Sequence, residues 1–420
     1  MRKQLTPFWT LFILTGLNLL NYLDRSILNA VRTPLASDFN LGYGDSGRTV
    51  TAFMIGYFVT SPFFGYLGDR LPRKWLIAVG IFVWSLGTLL TGFAVGFAAL
   101  LLYRVLVGLG EASYATISPS LISDTFAPAK RNNALTIFYV AIPVGSALGY
   151  ILGGEIAAHW TWRHAFIWAG IPGLVLALVL LPFAEARRGQ AELGANESVA
   201  KPVPQDYLKL LKNADYQLVV WGYVAYTFAL GAFAFWGPTF LAKVHHLSNQ
   251  HAADFFGAVL VLTGLVGTLL GGFAATAWKK RNPAGYAWML SCSILLAVPS
   301  SFAAFLCGNK MASMALLALS MFFLFLSTGP VNTLILETVP MNLRASAMAL
   351  SIFMIHLFGD MWSPELVGRL ADAWDLHKAV LILPVALLLG GVLWVSLALR
   401  TAASQTPSAS LTPAAIRSLR

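Results

Sequence analysis

Apolar residues in this chain gather in stretches long enough to cross a bilayer, divided by short polar breaks, instead of alternating every three or four positions as in a soluble helix. The stretches fall near residues 8–29, 46–67, 74–95, 98–122, 132–156 and 165–184, and again near 216–242, 252–277, 285–306, 311–336, 343–368 and 378–399. This pattern predicts an all-α membrane protein of twelve transmembrane helices in two pseudo-symmetric six-helix bundles, residues 1–184 and 216–400. Residues 185–215 mix acids, bases and prolines and read as a cytoplasmic linker. Residues 401–420, rich in Ala, Ser, Thr and Pro, have little to bury and read as a disordered tail.

An internal echo supports the division. Asp124-Thr125 is followed by Arg131 and Ala134, and Glu337-Thr338 is followed at the same spacing by Arg344 and Ala347. Both sets sit where the fourth helix of a half ends, which is the signature of a duplicated unit.

Composition narrows the class. The chain is 57% hydrophobic and 11% charged, with a mean hydropathy of +0.70, which excludes an ordinary soluble domain. Its formal charge of +10 does not point to nucleic acid, because the basic residues cluster in short loops. The positive-inside bias accounts for them and places both termini in the cytoplasm, with the protein expected in a bacterial inner (cell) membrane. Cys292 and Cys307 fall in one predicted helix, about 22 Å apart at about 1.5 Å per residue, too far to pair.

Charge at membrane depth is costly, so the few such groups are the first functional candidates. On the first helix Asn18, Asn21 and Arg25 share a face, with Asp24 to one side; on the fourth, Arg104, Gly108 and Glu111 form a stripe flanked by Tyr114. The two helices run in opposite directions, so Arg104 lies near the depth of Asp24, and Arg25 can reach toward Glu111. A buried network of Asp24, Arg25, Arg104 and Glu111 is expected. It is either a fixed clamp or a proton switch in which Glu111 changes state when Arg25 is drawn elsewhere. The second half offers Tyr223, Tyr226, Phe233 and Trp236 in one helix and Phe322, Phe323 and Phe325 in another, with almost no charge. Most such aromatics pack in the core or face lipid. His356 and Asp360, four apart, share a face in the eleventh helix, and His356 is a candidate substrate or proton contact.

The loop Gly65-Tyr66-Leu67-Gly68-Asp69-Arg70-Leu71-Pro72-Arg73-Lys74 resembles the signature of the major facilitator superfamily. Gly65, Asp69, Arg70 and Arg73, with Arg104, Asp124, Arg131, Glu337 and Arg344, are read as a conformational latch, Asp69 reaching the start of the eleventh helix near Arg344. Asn21-Tyr22-Leu23-Asp24-Arg25, Gly108-Leu109-Gly110-Glu111-Ala112-Ser113-Tyr114, Phe138-Tyr139 and Ala141-Ile142-Pro143-Val144-Gly145-Ser146 resemble the Spinster family of lysolipid and sphingosine-1-phosphate transporters, as does His356-Leu357-Phe358-Gly359-Asp360. The resemblance implies a compact bacterial relative that works as a proton-coupled, alternating-access carrier. In that reading Asp24 and Glu111 couple protons, while Asn21, Arg25, Tyr114, Tyr139, His356, Phe233, Trp236 and Phe325 hold a lipid-like substrate.

An organic-anion carrier or a drug or metabolite exporter of the same superfamily is the alternative. No catalytic constellation, His-Glu-x-x-His run or nucleotide-binding glycine loop is present in the sequence, so neither an enzyme, a metal site nor a cofactor is expected. Monomer is the expected state.

Overall fold

The computed structural model describes residues 6–41, 43–180, 185–193, 200, 202–247 and 249–403, and these form helices without a strand. The expected tail is outside the described residues beyond 403, as are residues 181–184 at the end of the first bundle.

The first half comprises α1 (Pro7–Ala30), the short α2 (Arg32–Asp38), α3 (Tyr43–Arg70), α4 (Arg73–Thr91), α5 (Phe97–Thr125), α6 (Pro128–His159) and α7 (Trp162–Leu180). The linker carries α8 (Pro204–Lys212). The second half comprises α9 (Ala214–Val244), α10 (Asn249–Arg281), α11 (Gly285–Leu306), α12 (Lys310–Phe325), α13 (Thr328–Glu337), α14 (Arg344–Ile355), α15 (Ser363–Ala373), α16 (Leu376–Ala379) and α17 (Ile382–Ala403). Most helices run past the predicted spans because hydropathy marks only the apolar middle, whereas backbone pairing continues into the polar interface; α4 instead stops at Thr91, short of the predicted end at 95.

Among the described residues eleven spans, counting α12 with α13, α14 with α15 and α16 with α17 as one each, are long and apolar enough to cross a membrane. The twelfth crossing is α1, whose 24 residues suffice in length but whose Asn18, Asn21, Asp24 and Arg25 dilute its hydropathy. It is held by its neighbours. α1 packs along α6, where Gly149 lets the helices close: a Cβ there would stand 2.7 Å from that of Ser26.

Two spans of the second half are broken. One kinks at Leu326 and Ser327, between α12 and α13; the other passes through a π-turn at His356–Asp360. Such turns widen a helix locally and push side chains out of register. The sequence reading did not foresee either break.

Within the halves, α3 and α4 pack on α5, and α9 and α11 pack on α17. Between them, α3 packs on α14 and α6 on α10 and α13. At Gly65 a Cβ would lie 3.1 Å from Ser346 Cα, so a larger residue would keep α3 and α14 apart.

Candidate functional site

A cavity of about 320 Å³ lies between the halves. α1 contributes Asn18, Asn21, Tyr22 and Arg25, α3 contributes Tyr57 and α6 contributes Tyr139; the second half supplies Tyr223, Tyr226, Phe325, Asn332, His356 and Asp360. Asn18 is fixed by donating to the Phe138 carbonyl at 2.9 Å.

Arg25 is the organising cation. Its Nε donates to Glu111 Oε2 at 2.6 Å, and Glu111 is fully buried on α5. The guanidinium also stands 5.0, 4.9 and 4.9 Å from the ring centroids of Tyr22, Phe53 and Tyr57. A cation in an aromatic cage keeps favourable contacts while remaining open on its cavity side. Phe53 and Tyr57 are four apart on α3, so the cage is a one-face pattern that the sequence reading missed.

The expected four-member network is only partly formed. Asp24 is buried and accepts from Thr88 Oγ1 at 3.3 Å, while its Oδ1 has no partner. Among the described residues no carboxylate lies within 4.0 Å of Arg104, which instead stands 5.1 Å over the Phe53 ring with its Nε unpartnered. Arg104 thus belongs to the cage wall in position, and the structure does not join it to the latch or to Asp24. The aromatic face competes successfully for a guanidinium that the sequence would pair with an acid.

Of the other expected substrate contacts, Asn21, Tyr139, Phe325 and His356 reach the cavity; Tyr114, Phe233 and Trp236 do not. Tyr114 is fully buried and donates to the Leu14 carbonyl, tying α5 to α1. Phe233 stacks on Phe305 at 5.3 Å within the second half. Trp236 donates to the Pro364 carbonyl at 2.9 Å, clamping α9 to α15. Helical periodicity cannot distinguish a core-facing aromatic from one on a cavity two turns away.

The π-turn brings His356 Nδ1 within 2.9 Å of Asp360 Oδ1, and the His356 ring meets Tyr57 edge-on at 5.4 Å across the seam. The cavity therefore carries a cation–carboxylate pair on one wall and a second polar pair on the other.

The linker end is bound by several charge contacts. Asp69 accepts from the backbone N–H of Ala345 and of Ser346, both at 3.0 Å, at the start of α14. An anion at a helix N-terminus satisfies free donors and the helix dipole together. Arg73 Nη1 meets Asp124 Oδ2 at 2.5 Å, and Arg344 Nη1 meets Asp124 Oδ1 at 3.1 Å. Glu337 pairs with Lys279 at 3.1 Å, repeating in the second half the acid–base contact of Asp124 with Arg73. Arg70 donates to the Pro202 carbonyl at 2.9 Å and to Tyr207. Arg131 and Arg344 both bond the linker carboxylate of Glu192, the latter at 2.6 Å. Glu192 joins these contacts although the sequence reading did not select it.

Comparison with known proteins is consistent across the chain. A Major Facilitator Superfamily model matches residues 14–364. Protein spinster of Drosophila melanogaster is 36% identical over 89% of this chain, which spans 64% of that relative's length. Protein spinster homolog 3 of Danio rerio is 33% identical over 94% of this chain and 85% of its own; protein spinster homolog 1 of Homo sapiens is 35% identical over 86% and 72%. Among solved structures, a bacterial homolog to the human lysosomal transporter Spinster, inward-facing and unoccupied, superposes with a TM-score of 0.66 at 21% identity over 96% of this chain and 99% of that one. The human organic anion transporter MFSD10 superposes with a TM-score of 0.74 at 13% identity over 93% and 100%. At these identities the two structures speak for the fold.

Proposed function

This chain belongs to the Spinster family of the major facilitator superfamily, and on that premise we propose that it is a proton-coupled secondary transporter of an amphiphile with an anionic or zwitterionic head, of lysolipid or sphingosine-1-phosphate type. That it is an integral membrane protein of transporter type follows from the family; substrate and coupling are our reading.

The observation that carries the proposal is Arg25, bonded to buried Glu111 on one side and open to the cavity on the other. An anionic head that takes the guanidinium leaves Glu111 without its partner. A carboxylate isolated at that depth takes a proton instead of remaining charged, and substrate and proton then move together. Asp24, also buried on α1, is the second coupling group. A head bearing an ammonium has Asp360 and His356 on the opposite wall. In this reading the linker end faces the cytoplasm with both termini, the protein works as a monomer in the inner membrane, and the halves rock about the cavity.

The cavity volume favours a second reading. At about 320 Å³ it lies near the lower bound for drug-sized ligands of roughly 300–1,000 Å³. A compact organic anion would fill it, whereas an acyl tail must extend beyond it.

The deciding experiment is uptake of radiolabelled lysophospholipid and sphingosine-1-phosphate into proteoliposomes with and without a pH gradient, for wild type and Glu111→Gln. Gradient-driven flux that disappears in the variant is expected. Flux indifferent to both gradient and substitution would discard the coupling role. Absence of lipid flux, with gradient-driven uptake of a small carboxylate, would replace the lipid reading by the second.

A further inference from the structure

A second recess lies on the outer face of the second half, away from the central cavity. It is a groove of about 860 Å³ between α9 and α17, walled by apolar side chains that include Trp221, Phe228, Val385 and Leu389. Val385 and Leu389 are 45% and 61% exposed. In a membrane-spanning face these residues meet hydrocarbon, so acyl chain is the medium that fills the groove.

One charged side chain lines it, Arg400, at the linker end of α17. Its Nε is 3.0 Å from Asp215 Oδ1, and among the described residues its two terminal nitrogens have no partner. On α8, which precedes α9, Lys209 pairs with Asp206 at 3.2 Å, Lys212 follows it, and Leu208 and Leu211 are 57% and 52% exposed. A short helix with bare leucines next to lysines belongs at the level of lipid headgroups. The groove thus has a greasy body and a basic mouth at headgroup depth, the charge pattern of an anionic lipid reversed.

Its floor touches the functional site. Phe358, in the middle of the π-turn, also lines the groove and stands 5.6 Å from Trp221, while His356 and Asp360 at the two ends of the same turn line the central cavity. One five-residue turn therefore faces membrane on one side and cavity on the other.

We propose that this groove binds an anionic phospholipid from the linker-side leaflet, with the phosphate on Arg400 and one acyl chain against Trp221 and Phe358, where it steadies the π-turn that carries His356 and Asp360. The site is distinct from the transport cavity, and the test does not depend on transport.

The test uses the full chain in nanodiscs of phosphatidylcholine, with or without phosphatidylglycerol, followed by native mass spectrometry of retained lipid and by hydrogen exchange. Wild type should retain phosphatidylglycerol over phosphatidylcholine. Arg400→Ala should reduce that preference about fivefold, the effect of one basic residue near an anionic headgroup. Val385→Trp, which fills the groove, should remove the retained lipid altogether. Exchange across residues 356–362 should slow when phosphatidylglycerol is present in wild type, and should not change in Arg400→Ala. Equal retention of the two lipids by wild type would overturn the site without recourse to any variant. Preference without slower exchange would overturn the contact with the π-turn.

Discussion

Arg131 and Arg344 occupy equivalent places in the two halves and donate to one shared carboxylate. Arg131 bonds the Ser123 carbonyl and Arg344 the Leu336 carbonyl, each eight residues back, and both reach Glu192. An acid between the two halves thus joins two cations in equivalent positions, one from each half.

Glu192→Gln keeps the shape and removes the charge. Glu192 is 25% exposed, so water screens part of the effect, and a loss of about 1 kcal/mol is expected. Spin labels placed at Lys130 and Asn342, with the native cysteines replaced, should show a larger population of long distances across the linker end. An unchanged distribution would remove Glu192 from the latch.

The same contact sets a pH dependence. Partial burial pushes the Glu192 carboxyl up, but the Arg344 hydrogen bond and the charges of Arg344 and Arg131 outweigh it and hold the group below the ordinary carboxylate range. A depressed pKa contributes full stability above the unfolded value, about 4.3 for glutamate, and loses it as pH falls through the depressed one. The label distances should stay constant from neutral to mildly acid pH and lengthen only in stronger acid. Glu192→Gln should flatten that response, and a transition near neutrality would assign it to another group.

Asp69→Asn tests the other half of the latch. The carboxylate receives two backbone N–H groups; an amide has one oxygen to offer and no charge for the start of α14. The closed population should fall by a factor corresponding to about 1–2 kcal/mol, read from the same distances. Closure as complete as in wild type would show that packing along Gly65 holds the seam unaided.

Phe325 and Phe233 should separate function from folding. Phe325→Asp places a charge on the cavity wall and is expected to abolish uptake while leaving detergent-solubilised protein monodisperse. Phe233→Asp places it in the stack with Phe305 and should lower the melting temperature or prevent accumulation. Identical behaviour of the two variants would contradict their placement.

The all-α membrane-spanning fold was legible because stretches of membrane length leave few alternatives. The contact of Arg25 with Glu111 was legible from the shared faces of two antiparallel helices, and that of Asp69 with the start of α14 from the charged loop motif around it. The failures have a common physical origin. Arg104 was assigned an acid and found an aromatic ring. Tyr114, Phe233 and Trp236 point into their own half, and nothing in a nearly all-apolar helix distinguishes a core face from a cavity face. The π-turn follows from tertiary packing, in which Gly359 and Gly231 admit neighbouring side chains and no local motif announces the change of pitch. Glu192 lies in a polar linker where any acid looks alike.

The polarity of α1 has a consequence for how the chain enters the membrane. The partners that Asp24 Oδ2, Arg25 and Asn18 find are Thr88, Glu111 and the Phe138 carbonyl, respectively 64, 86 and 120 residues further along. At synthesis rates of about 5–20 residues per second these arrive about 3 to 24 seconds later. Until then α1 carries an aspartate and an arginine, each opposing partition into lipid by about 2.5–3.5 kcal/mol at the centre of a helix. α1 is therefore among the last of these helices able to rest in the bilayer unaided, because the carbonyl that receives its Asn18 belongs to α6.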